Sequence, residues 1–214
     1  MTPKAVLFDC DGVVVDSEGP TFLMFQREFA AAGLHLTLHE LETNWVGATA
    51  EGLAARARSM GAALPPDWVG GFYQRLNARL AEGVPLIPGI LTVLDRLDAA
   101  GIPYAMGSNG PLDKMAVTLG QHRLIERFRG HVYSGQALAA PKPAPDVYLH
   151  AARMLGLDPA DCVVVEDSAS GALAARAAGM ACYGYAPAAV NPALVDAGAR
   201  IFTDMGDLPG LLGL

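Results

Sequence analysis

Apolar and polar positions along this chain follow two rhythms. Short, mostly apolar runs recur at Ala5-Val6-Leu7-Phe8, Tyr104-Ala105-Met106-Gly107, His131-Val132-Tyr133, Cys162-Val163-Val164-Val165 and Ala181-Cys182-Tyr183-Gly184. Runs of this length, ended by small or polar residues, predict strands of a buried parallel sheet. Between them lie helical patterns at Ile90 to Ala100, Leu112 to Leu119 and Pro145 to Leu155. Each is followed by a glycine (Gly101, Gly120, Gly156), where a helix end favours positive φ. Asp158-Pro159 starts a further element, with a capping carboxylate and a proline at the first helical position. Strands alternating with helices predict an α/β fold with a doubly wound parallel sheet.

From about Ser17 to Val84 the alternation stops. No segment there reads as a strand. Helical spacing covers Thr21 to Ala32 (up to Gly33), Leu38 to Trp45, Thr49 to Met60 and Asp67 to Ala81, and Thr37 and Glu40 have capping-box spacing. The pattern predicts an all-helical cap domain, residues 17–84, inserted into an α/β core of residues 1–16 and 85–214. Pro85 and Pro88 stiffen the return linker before Gly89.

Bulk properties narrow the function. Hydrophobic residues make up 52% of the 214 and charged residues 17%, which excludes disorder and suffices for one core plus an inserted module. A net charge of −7 with no Lys/Arg cluster argues against a nucleic-acid surface, although a local pocket can still take a small anion. No apolar run is long enough for a membrane span, and the N-terminus enters a strand at once, so neither a membrane anchor nor a signal peptide is expected. Three cysteines (Cys10, Cys162, Cys182) without metal spacing suit a reduced, cytoplasmic protein. A monomer or weak homodimer is expected.

The chemistry concentrates where strands end. Asp9-Cys10-Asp11-Gly12 follows the first strand; the alternation of strand residues lets Asp9 and Asp11 face one way with Cys10 turned aside. One carboxylate can then attack while the other handles a proton. Ser108-Asn109-Gly110 ends the second strand with a hydroxyl and free amides suited to phosphate oxygens. Pro141-Lys142-Pro143 fixes a cation ahead of a helix, and Glu166-Asp167 ends the most apolar run. Open α/β sheets bind ligands at these carboxyl ends. The predicted site thus holds four acids, at most one nearby lysine and one serine. Such repulsion calls for a hard divalent cation with oxygen ligands, and Mg²⁺ is the natural choice. Gly47, in the loop before Thr49, is the candidate substrate-facing element of the cap. Trp45 and Trp68 read as cap packing, and the five histidines show no metal-ligand spacing.

In order, spacing and strand context, these motifs resemble those of the haloacid dehalogenase-like phosphohydrolases, over essentially the whole chain and including a helical cap after the first motif. The resemblance implies that Asp9 forms an aspartyl-phosphate and that Asp11 protonates the leaving oxygen and later activates water. Ser108 and the Asn109 amide bind the phosphoryl group, and Lys142 bridges it to Asp9. Mg²⁺ is implied on the Asp9 carboxylate, the Asp11 carbonyl and Asp167, with Glu166 bound directly or through water. Val13 replaces a Thr common in the first motif. The stretch from Ser108 to Met115, including Lys114, is similar to bacterial phosphatases of phosphorylated sugar acids such as 6-phosphogluconate.

A Mg²⁺-dependent phosphatase of a small phosphorylated metabolite is therefore expected. The alternative on the same scaffold is a hexose-phosphate mutase, which the resemblance associates with a cap His and Arg; Thr21 and Ala50 fall at those positions. Arg56, Arg58 and Arg75 are cap cations with the length to reach a substrate. A signalling receiver domain shares the acids, hydroxyl and Lys but is shorter and has no inserted cap.

Overall fold

The computed structural model describes residues 2–45, 47–188 and 192–214. Six strands form one parallel sheet in the order β3-β2-β1-β4-β5-β6. They are β1 (Ala5–Phe8), β2 (Tyr104–Ser108), β3 (Val132–Ser134), β4 (Cys162–Glu166), β5 (Ala181–Tyr185) and β6 (Arg200–Phe202). The chain moves outward from β1 through β2 to β3, then crosses to the other side of β1 with β4. That reversal opens a crevice at the carboxyl ends of β1 and β4.

Alternation along β1 explains why helices cover both faces. Val6 and Phe8 point into one apolar layer with Leu94, Leu97, Met106 and Phe128, whereas Ala5 and Leu7 point into the other with Val147, Tyr148, Ala151 and Ala175. The first layer is closed by α5 (Ile90–Ala100), α6 (Leu112–Gly120) and α7 (Leu124–Arg127); the second by α8 (Asp146–Met154), α9 (Ala169–Ala177) and α10 (Pro192–Asp196). The closing α11 (Leu208–Leu212) packs on α5.

Residues between β1 and β2 fold as α1 (Glu18–Ala31), α2 (Leu38–Asn44), α3 (Ala50–Ser59) and α4 (Trp68–Ala81) before α5 begins. Helical spacing places Phe22, Phe25 and Phe29 on one face of α1, and Trp68, Phe72, Leu76 and Leu80 on one face of α4. These faces meet in an aromatic stack: Phe25 lies 4.3 Å from Phe72, and Trp68 lies 4.8 Å from it. The expected capping box at Thr37 and Glu40 is formed. Two crossings link this helical segment to the sheet side by side. Asp16 N donates to Pro85 O (2.9 Å) and Ile87 N to Val14 O (3.0 Å).

The structure corrects the sequence reading in places. Gly120 closes α6 without positive φ; the left-handed turn comes at Arg123 (φ 55). Tertiary bonds hold this end instead, as Gln121 accepts from Val84 N and donates to Leu80 O. Helix α1 starts at Glu18 rather than Thr21, and Asp158-Pro159 opens only a 3-10 turn. The sixth strand and α7, α10 and α11 span five residues or fewer, too short to show a period. Among the described residues, no helix is long and apolar enough to cross a membrane.

Phe72 is fully buried at the centre of the aromatic stack. Phe72→Ala is expected to cost about 3–5 kcal/mol, measured as a lower urea midpoint. A smaller loss than 1 kcal/mol would contradict this packing.

Candidate active site

The loop after β1 is held in place before any chemistry is considered. Asp9 N donates to Val165 O (2.9 Å), so β1 and β4 stay paired up to the first acid. Gly12 then turns the chain at φ +75, with its N–H bonded to Val15 O. A Cβ at Gly12 would lie 1.9 Å from Asp167 Oδ2, so glycine is what lets that carboxylate enter. Cys10 is buried in the core. Asp9 and Asp11 both line a cavity of about 100 Å³ between the sheet edge and the helical segment, together with Ser108, Asn109, Lys142, Asp167 and Gly47.

Lys142 is the electrostatic centre of this cavity. Its Nζ stands 2.6 Å from Asp9 Oδ1 and 2.6 Å from Glu166 Oε1, and it is almost fully buried. Glu166 is saturated. Oε1 also accepts from Tyr148 (2.7 Å); Oε2 accepts from the backbone N–H groups of Asp167 and Ser168 and from Ser168 Oγ. Asn109 seats the lysine from behind: its Oδ1 accepts from Lys142 N, and its Nδ2 donates to Lys142 O. The same Nδ2 donates to Gly47 O, and Ser170 Oγ does likewise (2.9 Å).

The Ser108 loop is equally constrained. Ser108 Oγ accepts from Gly110 N (2.9 Å), Ser134 donates to Gly110 O, and Gln136 bridges Asn109 O to the Tyr73 hydroxyl. On the far side of the cavity, Asp11 Oδ1 accepts from Lys114 Nζ (2.6 Å) and from Ser17 Oγ.

These contacts separate the acids electrostatically. Burial raises the pKa of Asp9 to about 7, with repulsion from Glu166 and Asp11 outweighing part of the relief from Lys142. Burial also acts on Asp11, but the Lys114 charge and the bonds from Lys114 and Ser17 win and hold it below the ordinary value. Asp167 is pushed well upward by burial and by Glu18, Glu166 and Asp9; Glu18 rises to about 7 through burial and Asp11. The cavity thus has one side with more negative charge than its lysines neutralise. There Asp9, Glu166 and Asp167 offer carboxylate oxygens within 4.8 Å of one another. This donor set fits a hard divalent cation.

Comparison with known proteins agrees. The family model for haloacid dehalogenase-like hydrolases matches residues 3–179. The chain belongs to this family. Among haloacid dehalogenase-like relatives, the 6-phosphogluconate phosphatase of Escherichia coli K12 is 29% identical over 210 residues, covering 97% of this chain and 94% of its own. Hexitol phosphatase A of the same organism is 32% identical over 185 residues, covering 84% and 81%. A solved family hydrolase from Deinococcus radiodurans, with bound phosphate and sodium, is 37% identical with a TM-score of 0.78, covering 99% and 96%.

The structure brings together Asp9, Asp11, Ser108, Asn109, Lys142, Glu166, Asp167 and Gly47. One expectation fails, and one open question is answered. The site holds a second lysine, Lys114, which sequence reasoning placed in a similar stretch but gave no role; its i+3 position after Pro111 on α6 carries it inward. Arg56, Arg58 and Arg75 do not reach the cavity: the first lies over Trp45 and bonds Asn44 O, the second bonds the carbonyls of Leu64 and Pro65, and the third pairs with Glu28. Trp45 packs against Phe29 as expected but also lines the cavity. Ser17, Glu18, Tyr148 and Ser168 were unforeseen, since their roles depend on contacts across elements.

Gly171 on α9 faces Glu166; a Cβ there would lie 1.7 Å from Oε1 and 2.4 Å from Oε2. Gly171→Ala is expected to eject the carboxylate and leave Lys142 short of a partner, costing about 3–5 kcal/mol. Gly70→Ala, on the exposed side of α4 with nothing within 4 Å, is the control and should gain about 0.5–1 kcal/mol. Similar unfolding midpoints for the two variants would contradict the assigned packing.

Proposed function

We propose that this chain is a Mg²⁺-dependent phosphatase of small phosphorylated metabolites, sugar phosphates or sugar-acid phosphates, acting through an aspartyl-phosphate on Asp9. The observation that carries this reading is the placement of Asp9: one oxygen is held 2.6 Å from Lys142 Nζ, facing Asp11 and Ser108 across one cavity. The Asp9 and Asp167 carboxylates and the Asp11 carbonyl would hold Mg²⁺, which would supply positive charge against the phosphoryl oxygens, while the Glu166 oxygens are already taken by protein donors.

The chain's own residues divide the remaining work. Ser108 and the Asn109 backbone amide take phosphoryl oxygens, and Lys142 lies between them and Asp9. In the first half-reaction an Asp9 oxygen bonds to phosphorus as the ester P–O bond breaks, and Asp11 gives the departing oxygen a proton, which it must first take up because Lys114 and Ser17 hold it ionised in the free site. In the second, Asp11 removes a proton from water, the water oxygen bonds to phosphorus, and the Asp9–P bond breaks to release inorganic phosphate. Glu166, with every lone-pair direction taken by Lys142, Tyr148, Ser168 and two backbone amides, acts mainly by positioning Lys142.

Residues 17–84 serve as a cap over the core of 1–16 and 85–214, the paired crossings at Val14–Asp16 and Pro85–Ile87 being the hinge. Closure shields the transferring group from competing water. Thr21 and Ala50 both line the cavity, and neither side chain can take the part a mutase gives to His or Arg. Hydrolysis in the cytoplasm is therefore the reading.

Phosphate release is to be measured over a panel of sugar phosphates, sugar-acid phosphates and phosphoglycolate, with Mg²⁺ and with EDTA. Activity should require the metal, and Asp9→Asn should lower it by at least about a thousandfold. Asp11→Asn should slow poor leaving groups far more than good ones, because only the former need the proton. Metal-independent turnover, or full activity in Asp9→Asn, would falsify the assignment.

A further inference from the structure

Lys114 sits in the first turn of α6, where the aligned peptide dipoles repel a cation. It is nevertheless only 7% exposed and lines the cavity, with Asp11 as its ion-pair partner at 2.6 Å. A buried ammonium set against a helix dipole breaks a local rule without helping the fold, which is the mark of a residue kept for its chemistry.

Its location says what that chemistry is. Helix α6 leaves the Ser108 loop and packs along α4; Asn77 of α4 donates to Asp113 beside Lys114, and Tyr73 of α4 lines the same cavity. The ammonium therefore stands at the seam between phosphoryl cradle and cap, on the Asp11 side, where a leaving group departs. Much of the remaining lining is apolar: Phe22, Phe25, Trp45, Leu53, Phe72 and Leu76. Among the described residues, Lys114 and Lys142 are the cations lining the cavity, and Lys142 is committed to Asp9 and Glu166. The carboxylate of Glu18 lines it too, and disfavours a highly charged leaving group. A cavity near 100 Å³ is below the roughly 300–1,000 Å³ of pockets for drug-sized ligands.

Resting on the phosphatase reading above, we propose that Lys114 is the specificity-determining residue of this site: its ammonium receives one carboxylate of the leaving group. The preferred substrates are small monophosphates that carry an acid, and bisphosphates are rejected. A second phosphate brings about two negative charges and wants several donors, whereas one lysine supplies a single charge.

The test uses substrates that differ only in the acid: 6-phosphogluconate against sorbitol 6-phosphate, and phosphoglycolate against 2-hydroxyethyl phosphate. Glucose 1,6-bisphosphate against glucose 6-phosphate tests the exclusion. The wild type should favour the acid of at least one pair by roughly ten- to a hundredfold in kcat/KM, chiefly through KM. Lys114→Met should bring that ratio to about one, and Lys114→Arg should keep part of it. Equal losses on acid and alcohol in Lys114→Met would mean that Lys114 acts only through Asp11, and would overturn the proposal. So would an equal wild-type preference for acid and alcohol, which needs no variant to fold, or faster turnover of the bisphosphate. If the wild type releases no phosphate from any compound, p-nitrophenyl phosphate included, the phosphatase reading falls as well.

Discussion

Everything at this sheet edge depends on one buried ammonium. Lys142 joins Asp9, at the end of β1, to Glu166, at the end of β4, and so spans the crevice where the strand order reverses. Burying a lysine and two carboxylates together is costly unless every charge keeps good partners. Much of the surrounding sequence meets that requirement. Tyr148 rises from α8 to Glu166, Ser168 and two backbone amides fill its other oxygen, and Gly171 leaves room for the whole group. Apolar side chains of similar volume can fill such a space at no loss of stability, so stability alone does not account for the charges.

The second lysine plays a different part. Lys142 is enclosed at the sheet's carboxyl ends, whereas Lys114 lies where α6 meets α4 of the inserted helical segment. The two cations thus stand on different sides of the cavity, one against Asp9 and Glu166 and the other against Asp11. Aromatic packing of Phe25, Trp68 and Phe72 joins α1 to α4 beside it, while Arg56, Arg58 and Arg75 are occupied elsewhere by carbonyls, a ring or Glu28.

Most of the fold was legible because buried parallel strands leave uninterrupted apolar runs, and five of the six strands did so. The Arg200–Phe202 strand escaped because three residues beginning with arginine carry no period. The acids and Ser108 were legible because each ends or directly follows a strand, where chemistry in this architecture collects, and Lys142 because two prolines flank it ahead of a helix. Lys114 was not, since a lysine in a helix's first turn looks like solvated surface until α4 is folded over it. Ser17, Glu18 and Tyr148 were hidden for the same reason: their meaning lies in partners distant along the chain. The cap arginines misled in the opposite direction, because their number suggested reach while backbone carbonyls and Glu28 had already taken them.

Asn109 has two amide hydrogens, and the structure spends one on the Gly47 carbonyl and the other on that of Lys142. A single side chain therefore registers both the position of the cap loop and the seat of the lysine. Whatever draws Gly47 away from the core also loosens the residue that fixes the cation beside Asp9. Position is thereby shared: the Gly47 loop and the backbone of Lys142 are spelled out by one amide, so neither can be placed without reference to the other.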